Sequence, residues 1–340
     1  MKIDLNNIRN NALVFKRLTD RFLYAVVKAD AYGHGAVAVA NALHGIADGF
    51  AVALISEAVA IKQAASGKEV LIFTPPMDEE DVIVAANNGF TLTAANLRSA
   101  KLIVATAEKY ALNVNVQVKV NTGMNRYGVY ASTLGKVCSI LKRSGQVRVH
   151  GVYSHLYSHQ KELCEAQRLR FLHGVKICRR YFPLVRAHLS STYGAALGKE
   201  YRFDAVRIGL GLYGYFPEES MRLPLRPAMA MYAPCVANRK CSFGGVGYGG
   251  LKEEAYGQPM SVLRAGYAEG LGSVAKASGV TPLLIGDLCM DVCFEKRMRK
   301  IGESVCLFSD ARTVANKRGI SVYECLCLMG LRALKVYIDN

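Results

Sequence analysis

Eight short apolar runs, each followed by a stretch of helical spacing, fill residues 1–215, and no other feature restricts the fold as strongly. The runs are FLYAVVK (22–28), GFAVALI (49–55), EVLIFT (69–74), GFTLT (89–93), NVNVQVKV (113–120), VRVHGVYSH (147–155), RAHLSS (186–191) and DAVRIGL (204–210). The segments between them, such as EAVAIKQAA and TLGKVCSILKR, place apolar side chains three and four residues apart, the period of a half-buried helix. Eight strands joined by crossovers predict an α/β fold, a (β/α)8 TIM-like barrel. A doubly wound sheet is the competing topology, but it needs a GxGxxG turn after its first strand, and none follows residue 28.

The texture changes after residue 225. Gly-rich turns such as GGVGYGG and short runs such as PMSVLRAGY, TPLLIG and ESVCLF predict a mostly-β C-terminal domain. The opening MKIDL reads as a lone strand without a partner in the barrel. The expected division is therefore a barrel over 6–224 and a β domain over 225–340, with strand 1–5 added to it.

Charge narrows the function classes. Lys and Arg number 43 against 27 Asp and Glu, a net charge of +16. Such an excess points to nucleic acid or a membrane when it is clustered. Here it is scattered, and its densest group (Lys296, Arg297, Arg299, Lys300) has no interleaved aromatics. No apolar stretch reaches the roughly 18 residues of a membrane span, and the first residues lack an apolar signal core. The ten cysteines form no CxxC pair and have no histidine at a ligating interval, so they predict reduced core residues rather than a metal site. The expectation is a soluble cytoplasmic protein with no metal, no nucleic-acid partner and no membrane partner.

Barrel chemistry collects at the C-terminal ends of the strands. The first run ends in Lys28, where burial disfavours the ammonium form and lowers its pKa, as a Schiff-base lysine requires. A lysine there can also simply reach solvent, so the other strand ends decide. The fifth ends in Lys119, followed by Asn121-Thr122-Gly123-Met124-Asn125-Arg126; the sixth ends in His155. The seventh gives Ser190-Ser191-Thr192 and the eighth Arg207-Ile208-Gly209-Leu210. Hydroxyls and backbone N–H groups after the last two strands suit a phosphate. A carbonyl-reactive lysine beside a phosphate cradle points to pyridoxal 5'-phosphate (PLP). His34, in the turn after Lys28, reads as part of that turn's own hydrogen bonding.

The motifs AVVKADAYGHG (25–35), KVNTGMNRYG, HGVYSHL, AVRIGLGLYG, GYGG, AGYAEG and GDLCMD occur here in the order and spacing of the alanine racemase family, which the chain resembles along essentially its whole length. The resemblance implies a homodimer with shared active sites that racemises L- and D-alanine by a two-base mechanism, supplying D-alanine for peptidoglycan. It implies that Lys28 carries the cofactor and serves as one base, with Tyr248 of the partner subunit as the other. Arg207 would face the cofactor's ring nitrogen, and His155 would support Arg207 and Tyr248. Tyr32, Thr192, Gly209 and Leu210 match positions around the phosphate, and Arg126 one facing the phenolic oxygen. Lys119 matches a lysine that is carbamylated in many members. Met290 and Asp291 match a substrate-carboxylate loop, which with Arg126 would bind substrate, and Tyr267 matches an entryway tyrosine.

Some positions depart from the family pattern. Leu331 stands about where many members place a tyrosine near the phosphate, and Glu269 replaces an aspartate. Gly-Gly-Leu-Lys-Glu-Glu follows Tyr248 in place of a Thr/Tyr-rich strand. HLSSTYG (188–194) is more similar to the serine/alanine racemases linked to vancomycin resistance, and a serine or broad-specificity racemase is the alternative activity. A non-catalytic PLP carrier is a further alternative, disfavoured because a carrier needs neither a β domain nor a second base.

Overall fold

The structure, a computed structural model, describes residues 1–217, 223–248, 256–272 and 284–339. It divides into two compact units, one of Ile8–Ala29 and Ala36–Leu225, the other of Met1–Asn7, Asp30–Gly35 and Arg226–Asn340.

The first unit is an eight-stranded parallel barrel. Its strands are β2 (Phe22–Val26), β3 (Gly49–Val52), β4 (Glu69–Ile72), β5 (Thr91–Ala94), β6 (Val114–Lys119), β7 (Val147–Tyr153), β8 (Arg186–His188) and β9 (Ala205–Ile208). Each of the eight apolar runs therefore supplies one strand. Neighbours pair in the order β8-β7-β6-β5-β4-β3-β2-β9. The ring is drawn together between β8 and β9 by Asp204 N–H donating to the Ala187 carbonyl (2.9 Å) and Arg207 N–H to that of Ser190 (3.0 Å). All residues of β3, β5 and β9 are buried, as expected for parallel strands covered on both faces.

The crossover helices carry their own start signals. At α5 (Glu79–Asn87) the Asp78 carboxylate accepts from Asp81 N–H, and Glu79, Glu80 and Asp81 place negative charge on the positive end of the helix dipole. At α6 (Leu97–Lys109) Asn96 and Ser99 cap each other reciprocally.

One crossover begins unusually. The helical turn α2 (Lys28–Tyr32) directly follows β2, and Ala29, Asp30, Ala31 and Tyr32 have φ of 51°, 51°, 54° and 53°. This is a left-handed turn made without glycine, at a cost of about 1–2 kcal/mol per residue. The Glu57 carboxylate accepts from Ala29 N–H (2.6 Å), holding its first peptide.

The second unit is a seven-stranded sheet with two helices. Its strands are β1 (Lys2–Asp4), β10 (Met229–Lys240), β11 (Pro259–Leu263), β12 (Leu284–Ile285), β13 (Cys293–Glu295), β14 (Ser304–Phe308) and β15 (Val336–Ile338). Their order is β12-β13-β11-β10-β1-β15, with β14 also on β10. β1 lies between β10 (antiparallel, Lys2↔Ala230) and β15 (parallel, Lys2↔Val336). The helices α10 (Ala311–Arg318) and α11 (Val322–Met329) were not anticipated from the sequence. Each has a capped start, with Asp310 accepting from Arg312 N–H and Ser321 from Glu324 N–H. Among the described residues, no helix is long and apolar enough to cross a membrane.

Candidate active site

The C-terminal ends of the barrel strands gather a set of cations. Arg207, in β9, is 3% exposed, and its guanidinium makes five hydrogen bonds. Its Nη1 donates to His188 Nδ1 (2.7 Å) and the His188 carbonyl (3.1 Å). Its Nη2 donates to the carbonyls of Ser154 (2.6 Å) and Leu189 (3.1 Å) and to His155 Nδ1 (3.3 Å). The two terminal nitrogens carry all five of these bonds. Burial lowers the Arg207 pKa to about 10, so it remains charged at neutral pH.

Since a guanidinium only donates, both histidines present Nδ1 as a lone pair to it. A neutral ring with Nδ1 accepting carries its proton on Nε2. Burial holds His155 well below its ordinary value, reinforced by the charges of Arg207, Lys119, Arg126 and Lys28. His188, fully buried, is held down the same way by burial, Arg207, Arg186 and Lys119.

Lys119 ends β6 and is 4% exposed. Burial, then Arg207 and Arg126, depress its pKa well below the lysine value. Its ammonium lies over the rings of Tyr153 (4.6 Å to the centroid) and Tyr127 (5.8 Å). Arg126 is exposed, its guanidinium over Tyr127. Lys28 is half-buried at the start of the left-handed turn.

Thr192 opens α9 (Thr192–Leu197), and its Oγ1 accepts from Gly211 N–H (3.1 Å). The hydroxyl proton is thereby left to donate elsewhere. Gly209 precedes a 3-10 turn over Leu210–Tyr213, whose first N–H groups have no acceptor within the turn.

The remaining sequence-predicted residues lie in the second unit. Tyr32 is buried at the end of the left-handed turn, its ring 5.9 Å from that of Tyr323. Asp30 pairs with Lys335 (3.0 Å), and His34 Nδ1 lies 3.0 Å from the carbonyls of both Ala31 and Tyr32. The turn's own hydrogen bonds thus use His34.

Tyr248 is 76% exposed and Met290 50%. Tyr267 N–H donates to the Cys289 carbonyl (3.1 Å) and Ala268 N–H to that of Met290 (3.1 Å), which fixes the two loops together. Arg332 joins them from the other direction, binding Asp291 (2.8 Å) and Glu269 (2.6 Å). These three side chains border a cleft of about 810 Å3. Leu331, beside Arg332, is exposed. The six residues after Tyr248 that depart from the family pattern lie outside the described residues.

Sequence reasoning missed His188, whose hydrogen bond to Arg207 is shorter than that of His155. The signal was available: in an extended segment 188 and 190 point the same way, so the histidine shares its face with a serine already singled out.

Comparison with known proteins follows the same architecture. Residues 3–217 match the family model described as "Alanine racemase, N-terminal domain". An alanine racemase from Streptococcus agalactiae is 32% identical, the match covering 98% of this chain and 97% of that protein. One from Desulfovibrio desulfuricans is 28% identical over 99% of this chain and 97% of its own length. Among solved structures, the biosynthetic alanine racemase from Pseudomonas aeruginosa matches with a TM-score of 0.86 at 26% identity, covering 99% of this chain and 98% of that one.

Proposed function

The chain belongs to the alanine racemase family, and from that membership we propose that it interconverts L-alanine and D-alanine with PLP as its cofactor. The observation that carries this reading is the charge of the barrel mouth. Lys28, Lys119, Arg126 and Arg207 all bear on His155. The charges acting on Lys119 are likewise cationic. A donor set of this kind fits a polyanion bearing a phosphate and a phenolic oxygen. Thr192 and the turn at Gly209 and Leu210 add neutral donors suited to the phosphate, and Tyr32 is assigned there as well.

When bound, that cofactor draws electrons from the substrate's α-carbon and makes its proton removable. Racemisation takes this proton from one face and returns one to the other, and one rigid base reaches only one face. Lys28 serves one face through Nζ. Tyr248 of the partner subunit serves the other through its phenolic oxygen, and its exposure in the second unit supports that assignment. An unperturbed tyrosine, near pKa 10, is a poor base at neutral pH. The Nε2–H of His155, backed by the Arg207 guanidinium, is the donor assigned to stabilise its phenolate.

Arg207 would face the cofactor's ring nitrogen and, because a guanidinium does not give up its proton, would leave that nitrogen unprotonated. That would weaken the electron sink and favour prompt return of the proton to the α-carbon. Arg126 and the loop of Met290 and Asp291 bind the substrate carboxylate, with Tyr267 at the entrance. Lys119, whose depressed pKa leaves more neutral amine, is the carbamylation site; the resulting negative charge would orient Arg126.

The working form is a homodimer, and its product enters peptidoglycan synthesis. None of the ten cysteines is in a disulfide, and the setting proposed for the enzyme is the cytoplasm.

The test is D-enantiomer formation by PLP-loaded protein from L-alanine and L-serine side by side. Preference for alanine is expected. Comparable turnover of serine assigns the protein to the broad-specificity alternative, and no turnover of either overturns the racemase reading in favour of a carrier.

A further inference from the structure

The barrel interior contains a hydrogen-bonded chain that ends on Arg207, and each of its links has one permitted direction. At its far end is Glu69, the first residue of β4. Its carboxylate accepts from Arg186 Nη1 (2.9 Å), Tyr24 Oη (2.8 Å) and Gln117 Nε2 (2.7 Å). Tyr24 Oη accepts in turn from Gln117 Nε2 (2.9 Å) and Arg186 Nη1 (2.8 Å). A carboxylate only accepts and a guanidinium only donates, so the Gln117 NH2 must face Glu69 and its Oε1 must face away. That Oε1 lies 2.6 Å from His188 Nε2, which therefore carries the ring proton. Nδ1 is left as the lone pair that receives Arg207 Nη1 at 2.7 Å.

The surroundings are shaped for this chain. Its members come from β2, β4, β6 and β8, alternate strands that build one interior layer of such a barrel. The Tyr153 ring stacks on the His188 imidazole, with centroids 5.1 Å apart and planes 4° from parallel. A Cβ at Gly151 would lie 2.8 Å from Gln117 Cδ, and one at Gly49 3.0 Å from the Tyr24 ring. Both glycines sit where any side chain would displace a member.

We infer that His188 and Gln117 are positioning residues for the proposed racemisation: Glu69 sets the direction of the Gln117 amide, Gln117 anchors the His188 Nε2–H, and His188 so held presents the lone pair of a neutral imidazole to Arg207. The inference rests on the racemase reading for its consequence but not for its geometry. A reversed tautomer would set an N–H against the guanidinium, and a cationic His188 would set a charge there. In either case Arg207 loses the acceptor that aligns it.

The test combines imidazole 15N spectra of the apoprotein with kinetics of the PLP-loaded enzyme. His188 is assigned from the signal lost in His188→Leu. In the native protein it is expected to stay in the single neutral Nε2–H form from about pH 8 to about pH 5, where an ordinary histidine titrates. In Gln117→Met the Nε2–H has no acceptor. Arg207 still requires the Nδ1 lone pair, so the tautomer should persist while the Nε2–H proton signal moves upfield with the loss of its acceptor, and kcat should fall about tenfold with little change in KM, as for a lost hydrogen bond to a charged group. His188→Leu should lose at least as much, and His188→Asn, whose Oδ1 can stand in for the Nδ1 lone pair, should recover most of it. An unchanged Nε2–H signal or an unchanged kcat in Gln117→Met overturns the inference. Should that variant not fold, Glu69→Gln, of nearly the same shape, is judged by the same two criteria. A native protein with the fixed tautomer but no racemisation overturns the functional reading and leaves the chain standing.

Discussion

Arg207 and Tyr248, both assigned to the proposed site, are placed in two different ways. The arginine is 3% exposed, with both terminal nitrogens fully engaged inside its own barrel. The tyrosine is 76% exposed, in a Gly-rich turn of the other unit. Met290 and Tyr267 share its exposure, whereas Lys119 and Thr192 share the burial of the arginine. Arg207, Lys119 and Thr192 are thus enclosed within the barrel, while Tyr248, Met290 and Tyr267 of the second unit, like Arg126 of the barrel, are presented outward. Tyr248 and Met290 are the groups that the proposed function assigns to a site finished by a second copy of the chain.

The most severe way to break this comparison is at Lys28. Lys28→Ala should reduce D-alanine formation by about 10^3- to 10^4-fold, the upper range for a general acid–base group, measured with a coupled D-amino-acid assay. Tyr248→Phe should retain PLP absorbance but lose about 10^2- to 10^3-fold in kcat. Mixing the two inactive variants sharpens the point. If each site takes one residue from each copy, random pairing restores about a quarter of native activity. Absence of restoration would falsify the shared site while leaving both residues catalytic.

A smaller effect appears in stability. His155 and His188 in the barrel and His34 in the second unit are all held neutral, His34 at about pKa 4, chiefly by burial. Unfolded, each gains a proton near pH 6.5, so below that value the unfolded state binds more protons and stability falls with pH. For His34 the decline continues to about pH 4. Each group contributes up to about 1.4 kcal/mol per pH unit. Urea melts at pH 7 and pH 5 should show the loss, and His34→Gln should lessen it.

The mildest change restores a family feature. Leu331→Tyr adds a hydroxyl at an exposed position and should tighten PLP by no more than about tenfold, the worth of one hydrogen bond. Equilibrium dialysis of the apoprotein reads it directly.

The eight barrel strands were legible because parallel strands are apolar on both faces and read as nearly continuous runs. Their ends were legible because chemistry in such a barrel has a fixed address. The left-handed turn was not, because Ala29, Asp30, Ala31 and Tyr32 carry side chains that disfavour it; Lys28 could be singled out, but not the strained backbone beside it. His188 and Gln117 looked like strand interior, and only pairing across four strands shows that they form one chain. α10 and α11 were hidden by the Gly-rich turns and short apolar runs around them, which favoured an all-strand reading.

The place of β1 bears on how the molecule comes to be made. Lys2 pairs with Ala230 on one side and Val336 on the other. During synthesis the barrel can close once β9 has left the ribosome, yet the strand preceding it still has both edges open. Its neighbours arrive only after the barrel has been translated. Closing contacts between such distant parts of a chain is slow, so the nascent chain passes through an interval with a finished barrel and an orphan strand. Expression yield should therefore be more sensitive to changes in β1 and β15 than their few residues suggest, because that interval is when a chain is most exposed to aggregation.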